Sequence, residues 1–378
     1  MSSYVQENPM RLRKADSSKL RRRIQYIHSL QKLNSIMDES TPLVYHSDDE
    51  YDSYHTVKIN RRTKVILYTV VGLLGFITLW VFTMVLPSYY IPQAVSLKPI
   101  NHISQLNVSF ETGQGRKQVK RIIMIGDIHG HYDEFRQLLR KVEYNKKDDE
   151  LLVLGDFVTK GPDSFKVLDY LIDHKIECIL GNHEYYVLQY YANFHALDQP
   201  SFHLSETQPS SHIWIDGAFN DDPEYLFSKK LQPHHVKYIN HCSVIKELGM
   251  VPVGDGVAPG VAVHAGLRPD LKLSRQDPID NLEMRSLIGP FYNETTSDPN
   301  APFAKSWSKI YNSKHGKAPA EYVVYYGHDA GRGLKLKEYT KGLDSGCDKG
   351  GKLTAVVISS NKKKAKIRLE EVTVQVDC

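Results

Sequence analysis

The chain has 378 residues, with 48 Lys+Arg against 44 Asp+Glu, 41% hydrophobic and 24% charged residues, the composition of an ordinary globular protein long enough for two or three domains. It has no glycine period, no sustained heptad and plenty of aliphatic residues, which excludes collagen-like, coiled-coil and wholly disordered chains. A net charge of +4 is too small to point to nucleic acid as a partner, and four cysteines without a CxxC pair exclude a disulfide scaffold or zinc ribbon. The excess is local: residues 1–64 hold 12 Lys+Arg and 8 Asp+Glu, and the remaining 36 and 36 cancel.

Residues 1–64 read as a polar tail without enough apolar surface to fold, most clearly at Tyr45–Tyr54 (YHSDDEYDSY). Within it, Glu39-Ser-Thr-Pro-Leu43-Val44 is similar to an acidic dileucine sorting signal and Tyr54-His-Thr-Val57 to a tyrosine-based one. These imply cytosolic sorting adaptors as partners and an endolysosomal or vacuolar destination.

Next, Val65–Leu86 runs for 22 residues without a charge or a proline. About 20 apolar residues at 1.5 Å rise cross a hydrocarbon core of about 30 Å, so residues 65–86 read as one transmembrane helix. With 64 residues ahead of it and so long an apolar run, the stretch reads as a signal-anchor rather than a cleaved signal peptide. Arg61, Arg62 and Lys64 abut its N-terminal end, and on the other side no Lys or Arg appears before Lys98. The positive-inside tendency leaves the tail in the cytosol and exports the rest, a single-pass type II arrangement. The sequons at Asn107 and Asn293 both fall in the exported part and are candidate glycosylation sites. Residues 87–119, with Pro87, Pro92 and Pro99, read as a lumenal stalk.

From Arg121 short apolar runs alternate with amphipathic helices. Ile122–Gly126, Leu151–Gly155 and Cys178–Gly181 read as buried strands, and Asp133–Tyr144 and Ser164–His174 as the helices between them, with Ser164 as an N-cap. This β-α-β-α-β order implies right-handed crossovers and a parallel sheet. Two later strands, Val261–Val263 and Val323–Gly327, follow the same plan. Each strand runs into a residue with an oxygen or imidazole donor: Asp127 with His129, Asp156, Asn182, His264 and His328. Singly, an Asp after a strand is usually a turn or cap residue, and a lone His there a satisfied polar group. Five repeats of the coincidence point to donors gathered at the carboxyl ends of strands, where α/β sheets bind ligands. The set suits two divalent cations sharing one carboxylate.

The motifs GDIHG (126–130), GDFVTKG (155–161), GNHE (181–184), HAGL (264–267) and GHD (327–329) resemble the ordered signature of the phosphoprotein-phosphatase branch of the calcineurin-like metallophosphoesterases. The segment 342–356 is similar to one found in the diadenosine tetraphosphatase relatives of that branch, and a single-span chain carrying this domain most resembles the fungal vacuolar zinc-dependent endopolyphosphatases. The resemblance implies an α/β fold, an αββα sandwich over residues 120–378 behind one transmembrane helix. It implies Asp127 and His129 as ligands of one metal, Asp156 as the bridge, and Asn182, His264 and His328 as ligands of the second. A hydroxide held between the metals would be the nucleophile, and His183 the general acid. Zn or Co is favoured, and Mn and Fe also suit imidazole with carboxylate.

Thr159-Lys160-Gly161 stands where the family has Asp-Arg-Gly. The missing aspartate normally orients the acid histidine, so a carboxylate from elsewhere would have to replace it, and the sequence does not single one out. Lys160 keeps a charge but not a guanidinium fork. Arg285 resembles the family's second phosphate-binding arginine, and Arg332 opens a cationic run, 331–352, that reads either as a solvated face or as a track for a polyanion. Residues 185–260, rich in Tyr and His, read as a helical insertion capping the cleft, its aromatics mostly core. Cys178 reads as a buried thiol, with one pair among Cys242, Cys347 and Cys378 free to bridge in an oxidising compartment. The expected activity is hydrolysis of phosphoanhydride bonds in inorganic polyphosphate in the vacuolar lumen, by a protein anchored in the vacuole membrane. The alternatives are a protein phosphatase or dinucleoside polyphosphate hydrolase with the same metal centre, and an inactive membrane adaptor, which the intact ligand positions argue against.

Overall fold

The computed structural model describes residues 59–111, 115–204, 222–315, 322–363 and 366–378. The sorting motifs at 39–44 and 54–57, and residues 205–221 of the insertion, lie outside the described residues. The chain divides into two units at Gly72 and Leu73.

The apolar stretch forms the helix Arg61–Trp80, extended by a π-helical turn at Val81–Val85 and the short helix Leu86–Tyr90, which has Pro87 in its first turn. No residue of Arg61–Trp80 is buried. Thr69, Thr78 and Thr83 each donate a hydroxyl to a carbonyl one turn back, at 2.8 Å. Such internal pairing is what a helix needs where water is absent, and this helix is a candidate membrane span.

The remainder is built on two sheets. One has the order 366–377, 352–363, 121–125, 149–153 and 177–178, and the last three strands run parallel. The other has the order 335–336, 340–342, 323–326, 256–263, 245–253 and 103–105, in which 256–263, 323–326 and 340–342 are parallel. Alternation along the strands explains the layering. Ile122, Met124, Leu152, Ala262, Val323 and Tyr325 belong to one core cluster shared by both sheets, whereas Ile123, Ile125, Val153, Val261 and Val324 join the outer cluster with helical residues such as Phe135, Leu138 and Leu171. Strands apolar on both sides are what an αββα arrangement requires. The two sheets are those of the expected αββα sandwich, and the five donor-bearing strand ends come three from one and two from the other.

Several boundaries differ from the sequence reading. The stalk at 87–119 is not free of the domain: Val95 N donates to Tyr191 Oη (2.8 Å), Lys98 N to Asn240 Oδ1 (2.7 Å), and Ile103–Gln105 is an edge strand of the second sheet. Its prolines suggested a spacer, but Ile100, Leu106 and Val108 are buried. The insertion is helical only as far as Ile239, through Asn182–Phe194, Pro223–Ser228 and Pro233–Ile239, after which Ile245–Val253 and Gly256–Val263 form a hairpin. Ser164 is the first helical residue, and Asp163 takes the cap position. The long hairpin of Lys352–Lys363 and Lys366–Asp377 had no expected counterpart, because its lysine-rich turn masks the strand period.

Cys178 is not a free thiol. It bridges Cys242, 64 residues away, and Cys347 bridges Cys378. Cross-linking a loop of that size restrains the unfolded chain by about 4 kcal/mol on the chain-entropy view. Cys242→Ala is expected to lower the Tm of the full chain under oxidising conditions and to leave it unchanged in reductant; equal melting of both forms in oxidant would contradict this.

His102 offers a pH test of the fold. It is buried, its Nε2 faces Asn281 Oδ1 (3.3 Å), and its Nδ1 has no partner among the described residues. Burial pushes its pKa below 6.5, against the pull of Asn281 and Asp277. The folded ring resists the proton that the unfolded ring accepts, so it contributes stability above pH 6.5 that is lost as the pH falls below it. In urea unfolding at stepped pH, His102→Leu should show a shallower loss of stability below pH 6.5 than the parent chain.

Candidate active site

Asp127, His129, Asp156, Asn182, His264 and His328 converge beyond the strand ends, and all six are between 0% and 7% exposed. The chain turns sharply to bring them there. His129, Asp156, Thr159, Lys160 and His328 have φ between 47° and 68°, a region that side chains rarely adopt unless their surroundings hold them in it. Glycines give the room: a Cβ on Gly181 would lie 2.2 Å from Asp156 Oδ1, and one on Gly327 would lie 2.1 Å from Asp127 Oδ1.

Asp156 is the hub. Its Oδ1 lies 3.3 Å from His264 Nε2, and its Oδ2 lies 3.6 Å from His129 Nε2 and 3.8 Å from His183 Nε2. His129 Nε2 is also 3.9 Å from Asp127 Oδ2. On the other side, Asn182 Oδ1 sits 3.0 Å from His264 Nε2 and 3.2 Å from His328 Nδ1.

The donor set fits a cation. His328 Nε2 faces the Glu283 carbonyl (3.1 Å) and His264 Nδ1 faces the Leu154 carbonyl (2.8 Å), so those nitrogens carry the hydrogens. Burial keeps His328 well below its usual pKa, hence neutral, and its bare Nδ1 abuts the Asn182 amide. That amide terminus has four acceptors within 3.3 Å: His264 Nε2, His328 Nδ1 and both Asp156 oxygens. Turned over, it has only two hydrogens for the four. A proton relieves part of the conflict: against burial, the Asp156 carboxylate lifts His264 to about 10. A divalent cation relieves all of it. On the Asp127 side, the Lys160 ammonium sits 2.9 Å from His129 Nε2, a positive charge already where one is called for.

Glu184, in the GNHE motif, is a structural member that the sequence reading passed over. Fully buried, it accepts from Asp156 N (2.7 Å) and Gly181 N (3.0 Å) through Oε2, and from Phe157 N (2.9 Å) and Val158 N (3.1 Å) through Oε1. It thereby staples the Asp156 loop to the turn that carries Asn182. Burial pushes its carboxyl up to about 7, against the pull of those N–H groups.

His183 lies 16% exposed at the cleft edge, with Nδ1 3.2 Å from Thr159 Oγ1 and 2.5 Å from Glu224 Oε1. Although burial opposes it, the His183 ring and Asp222 hold the Glu224 carboxyl down to about 2. Glu224 was not among the expected site residues.

Asp127, His129, Asp156, Asn182, His183 and His328 border a cleft of about 590 Å³ that also takes in Lys160, Arg285, Arg332, Asp344, Asp348 and Lys349. Among the described residues the Arg285 guanidinium makes two long hydrogen bonds, to the Ser297 and His328 carbonyls, both 3.3 Å. Arg332 reaches the cleft wall, but its guanidinium is occupied by Asp329 (2.6 Å), Ser286 Oγ (2.8 Å) and the Arg285 carbonyl (3.0 Å), so it braces Arg285 rather than facing a ligand freely. Three other cations of the run turn elsewhere: Lys341 pairs with Glu371 (3.3 Å), Lys337 donates to Ser308 (3.2 Å) and Lys352 pairs with Asp377. Of that run, only Gly331, Arg332, Asp344, Asp348 and Lys349 line the cleft. The sequon residues Asn107 and Asn293 are both exposed.

Residues 120–339 match the calcineurin-like phosphoesterase family. The chain is 31% identical over 305 residues to a zinc-dependent endopolyphosphatase of Saccharomyces cerevisiae, covering 76% of this chain and 87% of that one. It is 29% identical over 276 residues to a symmetrical bis(5'-nucleosyl)-tetraphosphatase of Buchnera aphidicola, covering 62% of this chain and 92% of the relative. Among solved structures, a protein described as a putative diadenosine tetraphosphatase superposes with a TM-score of 0.51 at 24% identity, over 72% of this chain and 97% of that one.

Proposed function

The chain belongs to the calcineurin-like phosphoesterases and is a metal-dependent phosphohydrolase, and from that premise we propose that it cleaves internal phosphoanhydride bonds of inorganic polyphosphate. The observation that carries the substrate choice is the cleft wall. It offers Lys160, Arg285 and Lys349 to phosphate, and among the described residues it has no Phe, Tyr or Trp on which a base could stack. Such a platform suits the bases of a dinucleoside polyphosphate, whereas a bare phosphate chain has no use for one.

Asp127, His129, Asp156, Asn182, His264 and His328 would hold two divalent cations, with Asp156 shared and Zn or Co favoured. When bound, such a pair neutralises phosphoryl charge and makes water acidic enough to attack at neutral pH. The chain's own residues do the rest. Arg285 and Lys160 bind the phosphates flanking the scissile bond, and His183, its Nε2 turned towards Asp156, delivers a proton to the leaving phosphate oxygen.

We further place the catalytic unit in the vacuolar lumen, with the candidate span as a type II anchor. The charge asymmetry around residues 65–86 supports this, as do two disulfides, since such bridges persist in oxidising compartments.

The full chain in detergent, supplied with Zn, Co, Mn or Mg, is to be given long-chain polyphosphate, diadenosine tetraphosphate and a phosphopeptide in parallel. Ladders of intermediate chain length from polyphosphate are expected. Phosphate release without intermediates would overturn internal cleavage, and turnover of the dinucleotide alone would overturn the substrate.

A further inference from the structure

The aspartate expected at position 159 to orient His183 is replaced by a threonine, and the insertion supplies what the threonine lacks. We propose that Glu224 is the positioning residue for His183, reaching it from a different segment of the chain and replacing the carboxylate missing at Thr159. The inference rests on the reading of His183 as the proton donor at the phosphatase centre.

Three observations carry it. Glu224 Oε1 is 2.5 Å from His183 Nδ1, closer than Thr159 Oγ1 at 3.2 Å. A carboxylate can only accept, so Nδ1 carries the hydrogen and the ring is held with Nε2 towards Asp156, 3.8 Å away. The carboxylate is itself fixed. Glu224 lies in the first turn of Pro223–Ser228, where the Asp222 side chain caps its N–H at 2.9 Å. Asp222 also accepts from Tyr190 Oη at 2.6 Å, and Tyr190 is on the helix that carries His183. The acid and the group that orients it are thus tied together by two neighbouring helices. Thr159 adds a third clue: a β-branched residue at φ 68° is strained, so the position tolerates threonine but suits aspartate better.

The test is a double-mutant cycle on the full chain in detergent, loaded with Zn, run on polyphosphate and on p-nitrophenyl phosphate. Glu224→Ala should lower kcat roughly 10–100-fold, as loss of an outer partner of a reactive group does, with KM little changed and bound metal unaltered. In a His183→Ala background the same substitution should change nothing further. Thr159→Asp added to Glu224→Ala should return at least part of the lost kcat. An equal fall in the His183→Ala background, or no fall in the parent, would overturn the proposal. Histidine-selective 15N NMR of the unmutated chain reads the same point without turnover: His183 protonated at Nδ1 is expected, and a bare Nδ1 would sink the idea even if Glu224→Ala failed to fold. Should polyphosphate survive intact, the substrate assignment falls, while the cycle on p-nitrophenyl phosphate and the NMR signal still decide Glu224.

Discussion

Asp156→Asn is expected to abolish turnover and strip metal from the full chain. Asp156 reaches members of the cluster on both sides, through Oδ1 to His264 at 3.3 Å and through Oδ2 to His129 at 3.6 Å. The substitution keeps its volume but turns one of two acceptor oxygens into a donor, aimed at lone pairs that are already in conflict. Replacing a residue one layer outside a metal site costs roughly 10–100-fold, so losing the ligand proposed to be shared by two cations should exceed 100-fold in kcat/KM. The metal content of the purified chain should fall below that of the parent. Loss of the carboxylate leaves the His264 ring beside it uncompensated, so the Tm of the variant is measured alongside, which separates lost chemistry from simple unfolding. Turnover within tenfold of the parent, with both metals retained, would mean that Asp156 does not serve as the bridge.

The place of this cluster was legible in the sequence because the donors follow short apolar runs and all but His264 have a glycine beside them. The two glycines whose Cβ would strike Asp156 and Asp127 are those of GNHE and GHD. Layering was less legible. Ile122 and Ile123 are equally apolar yet face opposite cores, and a run apolar at every position carries no period to say so. Distance in sequence hid more. Cys178 found Cys242 across 64 residues, and Glu224 found His183 across 41, through contacts that no local pattern encodes. The cationic run 331–352, open in sequence between a solvated face and a track, shows the converse. Its charges are adjacent in the chain, but Lys337 and Lys341 leave the cleft for Ser308 and Glu371.

Glu184 shows how a residue inside a recognised motif can act without touching the chemistry, and its substitution should have the second large effect. The four N–H groups it accepts belong to Asp156, Phe157, Val158 and Gly181, all buried and all in the loops that aim the cluster. In Glu184→Gln one oxygen becomes an NH2 group, and whichever oxygen that is, two of the four donors lose their acceptor and face new hydrogens. A buried donor left unpaired costs about 1–3 kcal/mol, so the pair should cost about 2–5 kcal/mol and lower the Tm by roughly 5–15 °C. Repulsion between the amide and the N–H groups should also push the Asp156 loop away from Asn182, since Glu184 Oε2 is what ties Asp156 N to Gly181 N. Metal affinity should therefore fall together with stability, although no ligand has been changed. Thermal unfolding with and without added Zn measures both: the stabilisation that Zn gives the parent should shrink in the variant. A Tm within about 2 °C of the parent would show that these four hydrogen bonds do not hold the site together, and that the turn geometry around Gly181 suffices without them.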